Sequence, residues 1–387
     1  MLQAMSRRVL AAALIGAIPF TLMAAPAAEA EHRPLRLLGE QTVPNALLYQ
    51  GTVVGGLSSI DYDPRTGEYA LICDDRSAIN PARFYTAKFS VDAKGLGPVT
   101  FTGTKPLLRP DGTTYPPLAK NDQTQPQNMR TIDPEELRVD PWTGHYLWSQ
   151  EGERSAAALI DPSIREAKRD GSYVRDLPIP DNEKMTATAG PRQNLVLEGL
   201  TFAGFGSLVA SSVEGPLLQD GPEPTTTSGA LSRITLQSRF GPVLAQYAYP
   251  QDKVFASPNP PGAFATTGVS SLLAVDQADP TRYLVMERAF VTGVGNKIRI
   301  YEIDTKGATN VAGTPSLADA KKVKPVKKRL LADLADFKLS TVDNVEGMTW
   351  GPRLPGGERS LVLVSDNNFS ATQVTQFIAL AVPSERL

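Results

Sequence analysis

The feature that most constrains this chain is a strand–turn–strand plan that recurs five times, in residues 55–76, 136–151, 198–214, 269–288 and 346–367. In each copy the first strand alternates or is continuously apolar, as a buried strand must be. The turn reads Asp-Pro-x-Thr-Gly in two copies, Asp63 to Gly67 and Asp140 to Gly144. There Pro presets φ and Gly supplies a left-handed corner. The second strand is aliphatic or β-branched and ends in a carboxylate. Further strand-like runs follow at 84–91, 157–160, 231–236, 243–249, 297–303 and 373–382. Units of about four strands, repeated along the chain, are the signature of the blades of an all-β propeller. Five units are countable and a sixth, diverged one is compatible with the spacing. Residues 35–42 are placed to supply the outer strand that closes the ring. The Pro-, Gly-, Asn- and Lys-rich stretches 105–133, 178–195, 221–229, 251–267 and 305–329 read as loops. The run Lys321, Lys322, Lys324, Lys327, Lys328 and Arg329 reads as a solvated loop.

Upstream of the repeats, Arg7 and Arg8 precede an apolar stretch over 9–25 and the small-x-small site Ala28-Glu29-Ala30. This predicts a signal peptide over 1–30 and a single domain over 31–387, periplasmic or extracellular. No second long apolar run follows, so no membrane association is expected after cleavage. The net charge of −2 gives no reason to expect a nucleic-acid partner. Nothing in the chain calls for more than a monomer. Cys73 is the only cysteine, which excludes an intramolecular disulfide, and His32 and His145 are the only histidines. A zinc site rich in His and Cys cannot be assembled, and a Ser-His-Asp triad would have to use one of those two histidines. Carboxylates are plentiful, so a bound metal is expected to be a hard, oxygen-ligated ion such as calcium.

Two acidic positions recur within the repeat. One opens the first strand: Glu136, Glu198 and Glu346. The other ends the second: Asp74 or Asp75, Glu151 or Glu153, Glu214, Glu287 and Asp366. In an antiparallel pair these two positions fall at the same end. Both sets should therefore crowd around one mouth of a central channel, where cations must compensate them. Arg76, Arg154 and Arg288 each follow an acidic residue. The expected assignment is Glu136, Glu198 and Glu346 in catalysis, Asp75, Glu151, Glu214, Glu287 and Asp366 as metal ligands, and Arg76 and Arg288 on substrate.

The Glu-Gly-Leu/Met-Thr-aromatic motifs at 198–202 and 346–350, the Ser-Asp-Asn-Asn at 365–368, and the opening Gly55-Gly56-Leu57-Ser58 and Asp74-Asp75-Arg76 together resemble the phytase-like propeller family with esterase-like activity. The resemblance runs over roughly 35–382. It implies a calcium-dependent hydrolase of phosphate esters with a small-molecule substrate. Two other functions fit the same sequence: a non-catalytic propeller that binds a protein or glycan, and a lactonase-like hydrolase of carboxylic esters.

Overall fold

The computed structural model describes residues 34–319 and 322–386. The expected signal peptide, His32 and Lys321 lie outside them. The described chain forms five four-stranded antiparallel sheets, so the ring has five blades and no sixth. From the axis outward, blade 1 is Ser59–Asp63, Glu68–Cys73, Arg83–Lys88 and Thr100–Pro106. Blade 2 is Pro134–Val139, Tyr146–Gln150, Ser163–Ala167 and Tyr173–Leu177. Blade 3 is Leu197–Ala203, Leu208–Val213, Leu231–Ser238 and Val243–Pro250. Blade 4 is Ala265–Asp276, Asp279–Val291, Gly295–Asp304 and Lys327–Asp333. Blade 5 takes Val345–Arg353, Arg359–Ser365 and Thr375–Val382 from the end of the chain, and its fourth strand, Arg36–Val43, from the beginning. That strand closes the ring as the sequence predicts.

Two details differ from the sequence reading. The third strand of blade 2 is Ser163–Ala167, and residues 159–160 instead pair with Glu153–Arg154 in a small ribbon. Part of the basic run is strand: Lys327, Lys328 and Arg329 belong to the outer edge of blade 4, and Lys328 turns inward to lie 3.9 Å from the Tyr301 ring. Lysine on an edge strand is ordinary, because its charge discourages pairing with another chain.

Each blade alone exposes both apolar faces, and the ring buries them. A separate apolar cluster fills each of the five interfaces. Ile60 and Leu71 meet Val364 and Phe377 between blades 1 and 5, for example, and Leu147 and Ile164 meet Leu200 and Val209 between blades 2 and 3. The Asp-Pro-x-Thr-Gly turns form as expected. The Asp63 and Asp140 carboxylates accept from backbone N–H groups two residues on, and Gly67 and Gly144 take φ of +69° and +77°.

The inner strands touch one another in a closed ring. The motif glycines allow this approach. A Cβ on Gly347 would lie 2.8 Å from Ser59 Cα, and one on Gly199 would lie 2.8 Å from Leu272 Cβ. On the axis sits one guanidinium, that of Arg138 from blade 2, only 2 % exposed. Its Nε donates to the Leu200 carbonyl (2.6 Å), Nη1 to those of Ile60 (3.2 Å) and Met348 (2.9 Å), and Nη2 to that of Leu272 (3.2 Å). These four carbonyls belong to the inner strands of the other four blades. The charge is balanced by Glu136, 3.1 Å from Nη2, and Asp61, 3.3 Å from Nη1. One side chain thus ties all five blades and separates the two ends of the channel.

Removing a buried charged partner leaves its counter-ion and acceptors uncompensated, at a cost of about 3–5 kcal/mol. Arg138→Met is therefore expected to lower the free energy of unfolding by roughly that amount. Arg138→Lys should rescue little, because a single ammonium has three donors and no planar fork to reach four carbonyls. Urea unfolding followed by circular dichroism checks this. An unchanged midpoint in Arg138→Met would show that the axial guanidinium does not hold the ring.

Candidate functional site

The inner strands carry a β-bulge near one end, and the bulge decides which carboxylates reach the channel mouth. In blade 3 Leu197 pairs with Val213 and Gly199 with Ser212, leaving Glu198 as the extra residue. In blade 5 the same break leaves Glu346, in blade 4 it leaves Ser270, and in blade 2 it falls within Glu135 and Glu136. Bulges re-aim side chains where pairing ends. Superposing the strands on the four residues whose carbonyls meet Arg138, namely Leu200, Leu272, Met348 and Ile60, and on Leu137 just before Arg138 in blade 2, makes Glu135 the counterpart of Glu198 and Glu346. Ser58 and Ser270 take that position in blades 1 and 4.

A second tier follows the end of each second strand: Asp74, Glu151, Glu214 and Asp366, with Arg288 taking the position in blade 4. Asp74, Glu135, Glu151, Glu198, Arg288, Glu346 and Asp366 line one cavity of about 620 Å³. Glu214 and Asp133 are buried beside them.

The structure therefore brings Glu198, Glu346, Glu151, Glu214, Asp366 and Arg288 together as the sequence predicts, with Arg76 at the edge. It places Glu136, Asp75 and Glu287 elsewhere. The Glu136 carboxylate faces the axis, held by Arg138 and by Ser271 Oγ at 2.9 Å. Asp75 accepts from the backbone of Ala78, Ile79 and Asn80 and pairs with Arg83 at 2.7 Å, so it shapes a loop. Glu287 pairs with Lys328 and accepts from Tyr249 Oη at 2.6 Å, between blades 3 and 4. Each departure is a slip of one residue, and along a strand such a slip sends the side chain to the opposite face. The residues that reach the mouth instead are Glu135, Asp74 and, in blade 4, Arg288.

Electrostatics inside the mouth are those of an under-compensated acid cluster. Burial, then the charge of Asp133, pushes Asp74 up to about 8. Burial also pushes Asp133 and Glu214 up to about 7, although Arg76 and Arg288 respectively pull them back. Glu135, Glu151, Glu198 and Asp366 are held well above the usual carboxylate range, first by burial and then by neighbouring carboxylates. Burial raises Glu346 as well, against the pull of Arg288.

Two arginines offset this in part. Arg288 donates to Glu214 at 2.7 Å and lies 3.3 Å from Glu346. Arg76 pairs with Asp133 and with Glu153 at 3.1 Å, and donates to Asn194 at 2.9 Å.

The donor set suits a hard divalent cation. Asp133, Glu135 and Glu151 bring one oxygen each to within 4.8 Å of one another, and so do Glu151, Glu198 and Glu214. Glu214 Oε2 is buried with no hydrogen-bond partner, and neither the Glu135 nor the Glu198 carboxyl accepts a hydrogen bond from a described residue. Orphaned buried oxygens are costly unless a proton or a cation satisfies them.

One wall of the cavity is different. The first two strands of blade 4 run 12 and 13 residues, and their pairing continues past the rim through Thr266↔Phe290 to Ala265↔Val291. This hairpin carries Phe290 and, just before it, Phe264 into the lining, with ring centroids 6.2 Å apart. Phe264 is 66 % exposed.

No curated protein matches the chain. Among solved structures, a putative oxidoreductase (glucose dehydrogenase) from Thermus thermophilus is 11 % identical, with 89 % of this chain and 99 % of that one covered and a TM-score of 0.37. The periplasmic gluconolactonase of Pseudomonas aeruginosa is 12 % identical over 86 % of this chain and 87 % of its own, with a TM-score of 0.33. An exo-beta-1,3-galactanase from Phanerochaete chrysosporium is 10 % identical over 90 % and 64 %, with a TM-score of 0.39. Likenesses this low say nothing of this chain's chemistry. A family model described as phytase-like, esterase-like activity of phytase, matches residues 52–369, and over that span, which takes in most of the ring and nearly all of the acidic mouth, the chain belongs to this family.

Proposed function

We propose that the acidic mouth is the active site of a hydrolase that cleaves ester bonds with a bound divalent cation, calcium being the ion the all-oxygen donor set suits best. The observation that carries this reading is the set of buried carboxyls with unpartnered oxygens converging on one cavity. The family's esterase-like description agrees with it. Asp133, Glu135, Glu151 and Glu214 would hold the ion, with Glu198 beside it. When bound, it would polarise the ester and lower the pKa of water beside it.

The chain's own groups supply the rest. Glu198, held above the ordinary carboxylate range by burial and by neighbouring carboxylates, is a stronger base than a free carboxylate and is suited to take a proton from water and return it to the leaving oxygen. Arg288 lines the same cavity and would face negative charge developing on an ester oxygen, and its guanidinium stays protonated throughout. Phe264 and Phe290 offer an apolar wall for the acyl or alcohol part and shield the reacting bond from bulk water.

Charge balance favours a neutral substrate. The mouth gathers Asp74, Asp133, Glu135, Glu151, Glu198, Glu214, Glu346 and Asp366 against Arg76 and Arg288, and both arginines are already engaged by carboxylates. A phosphate ester adds negative charge to this field, whereas a lactone or other carboxylic ester adds none. One observation favours the phosphate reading: the two carboxylate triads share Glu151, as a bridged pair of ions would require.

Glu198→Gln and Glu135→Gln are expected to stay folded and to lose roughly a hundredfold or more in turnover, as loss of a ligand or general base does. Glu136→Gln, on the axial arginine, should instead affect stability more than turnover. Lactones, aryl carboxylic esters and aryl phosphates, assayed with calcium and with chelator, test the substrate class. Wild-type turnover in both mouth variants, or chelator-insensitive turnover, would remove the active site from this mouth.

The raised carboxyls also set a pH dependence. A group whose folded pKa exceeds its unfolded value stabilises fully below the unfolded pKa of about 4. That stability is lost as pH rises through the folded values, about 7 for Asp133 and Glu214 and about 8 for Asp74. In chelator, the melting temperature should therefore fall between pH 5 and 8, and calcium should restore it more at pH 8 than at pH 5. Melting curves that are indifferent to calcium at pH 8 would contradict a cation site.

A further inference from the structure

We propose that the opposite end of the channel is a second binding site, for a small organic anion with a flat apolar body. Arg138 closes this end from the acidic mouth, and beyond it lies a cavity of about 650 Å³. Its walls include Tyr62, Phe202, Leu273 and Trp350 with Arg353 and Arg359, and its two carboxylates, Asp61 and Asp63, are already paired with Arg138 and with Arg65 and Arg169. The two arginines are cross-strand partners in blade 5. Like charges directly opposite each other in a sheet are destabilising.

Among the described residues neither arginine has a carboxylate partner at ion-pair distance. Arg353 is exposed and makes no side-chain hydrogen bond. Arg359 donates to the Val275 carbonyl and stacks its guanidinium 3.6 Å from the Trp350 ring centroid. The indole is itself fixed by its N–H, which donates to the Ala274 carbonyl at 2.9 Å. Burial and the facing charge of Arg353 bring Arg359 down to about 10.

One guanidinium fixed on an indole and facing a second, repelling one across the strands, beside an aromatic wall, is the arrangement that an acidic group attached to a ring satisfies. The acid would neutralise Arg353 and Arg359, and the ring would lie against Trp350, Phe202 and Leu273. The acidic mouth, by contrast, repels such a molecule. The proposal is independent of the hydrolase reading, because it uses no residue of that mouth.

The probe is 2-naphthoate, titrated calorimetrically into the calcium-loaded full-length protein, beside neutral 2-naphthamide and small, ring-free acetate. One saturable site for naphthoate is expected, with binding at least tenfold weaker for the amide and undetectable for acetate. Arg353→Gln, at an exposed position and so expected to fold normally by circular dichroism, should weaken naphthoate binding about tenfold, and Arg353→Glu should abolish it. Arg359→Gln should weaken it further. Because Arg359 also packs on Trp350, that variant counts only if its melting curve matches the parent's. Absence of saturable naphthoate binding, equal affinity for the amide, or undiminished binding in both Arg353 variants would overturn the proposal.

Discussion

The molecule depends on one guanidinium placed where five strands converge. Inner strands at the centre of a propeller have no further strand to pair with, so their axial carbonyls must be satisfied by water or by a side chain. Here Arg138 does this for Ile60, Leu200, Leu272 and Met348 at once. It can do so because a planar fork with five donors reaches acceptors in several directions, and because Glu136 and Asp61 balance its charge in a buried place. The small residues Ser59, Gly199, Ser271 and Gly347 occupy the position of Glu136 in the other blades, and this allows the strands to approach closely enough for one side chain to span them.

That plug makes the two ends of the channel chemically separate. On one side the bulged inner strands and the ends of the second strands deliver carboxylates from four blades. Blade 4 delivers Arg288 and an apolar hairpin instead. The mouth is therefore lopsided, acidic over most of its circumference and cationic and aromatic on one side. Such a shape would orient a substrate as well as hold a cation under the proposed function. On the far side the same blades present Trp350, Phe202 and two arginines. A propeller repeats its backbone, but the chemistry lies in the departures from the repeat, and each mouth is built from such departures.

Much of this was legible in the sequence. The five-fold plan, the closing strand over Arg36–Val43 and the convergence of Glu198, Glu346, Glu151, Glu214 and Asp366 follow from spacing and alternation alone. What went astray was register. Matching Glu136-Leu137 to Glu198-Gly199 by the first acidic residue looks natural, yet the bulge adds one residue. The apolar residue whose carbonyl faces Arg138 is the true landmark. Aligning Leu137 with Leu200 and Met348 would have exposed Glu135 and shown Glu136 in a position otherwise held by Gly or Ser. The doublets Asp74-Asp75 and Glu287-Arg288 carry the same ambiguity, because strand alternation offers either member a face. Sequence pattern alone does not say which face meets the channel. The axial role of Arg138 had little local signal, since the four carbonyls it binds lie between 62 and 210 residues away in the chain.

The central claim is that the acidic mouth exchanges protons for a divalent cation. Calorimetric titration of calcium at pH 7, repeated in buffers of different ionisation enthalpy, measures both the stoichiometry and the protons released. Carboxyls held near or above neutrality must give up their protons to bind the ion. The account predicts saturable binding of at least one calcium with release of about one proton or more per ion, diminished in Glu151→Gln, which neutralises the carboxylate common to both triads. Absence of saturable binding, or binding without proton release that is unaffected by Glu151→Gln, would contradict it.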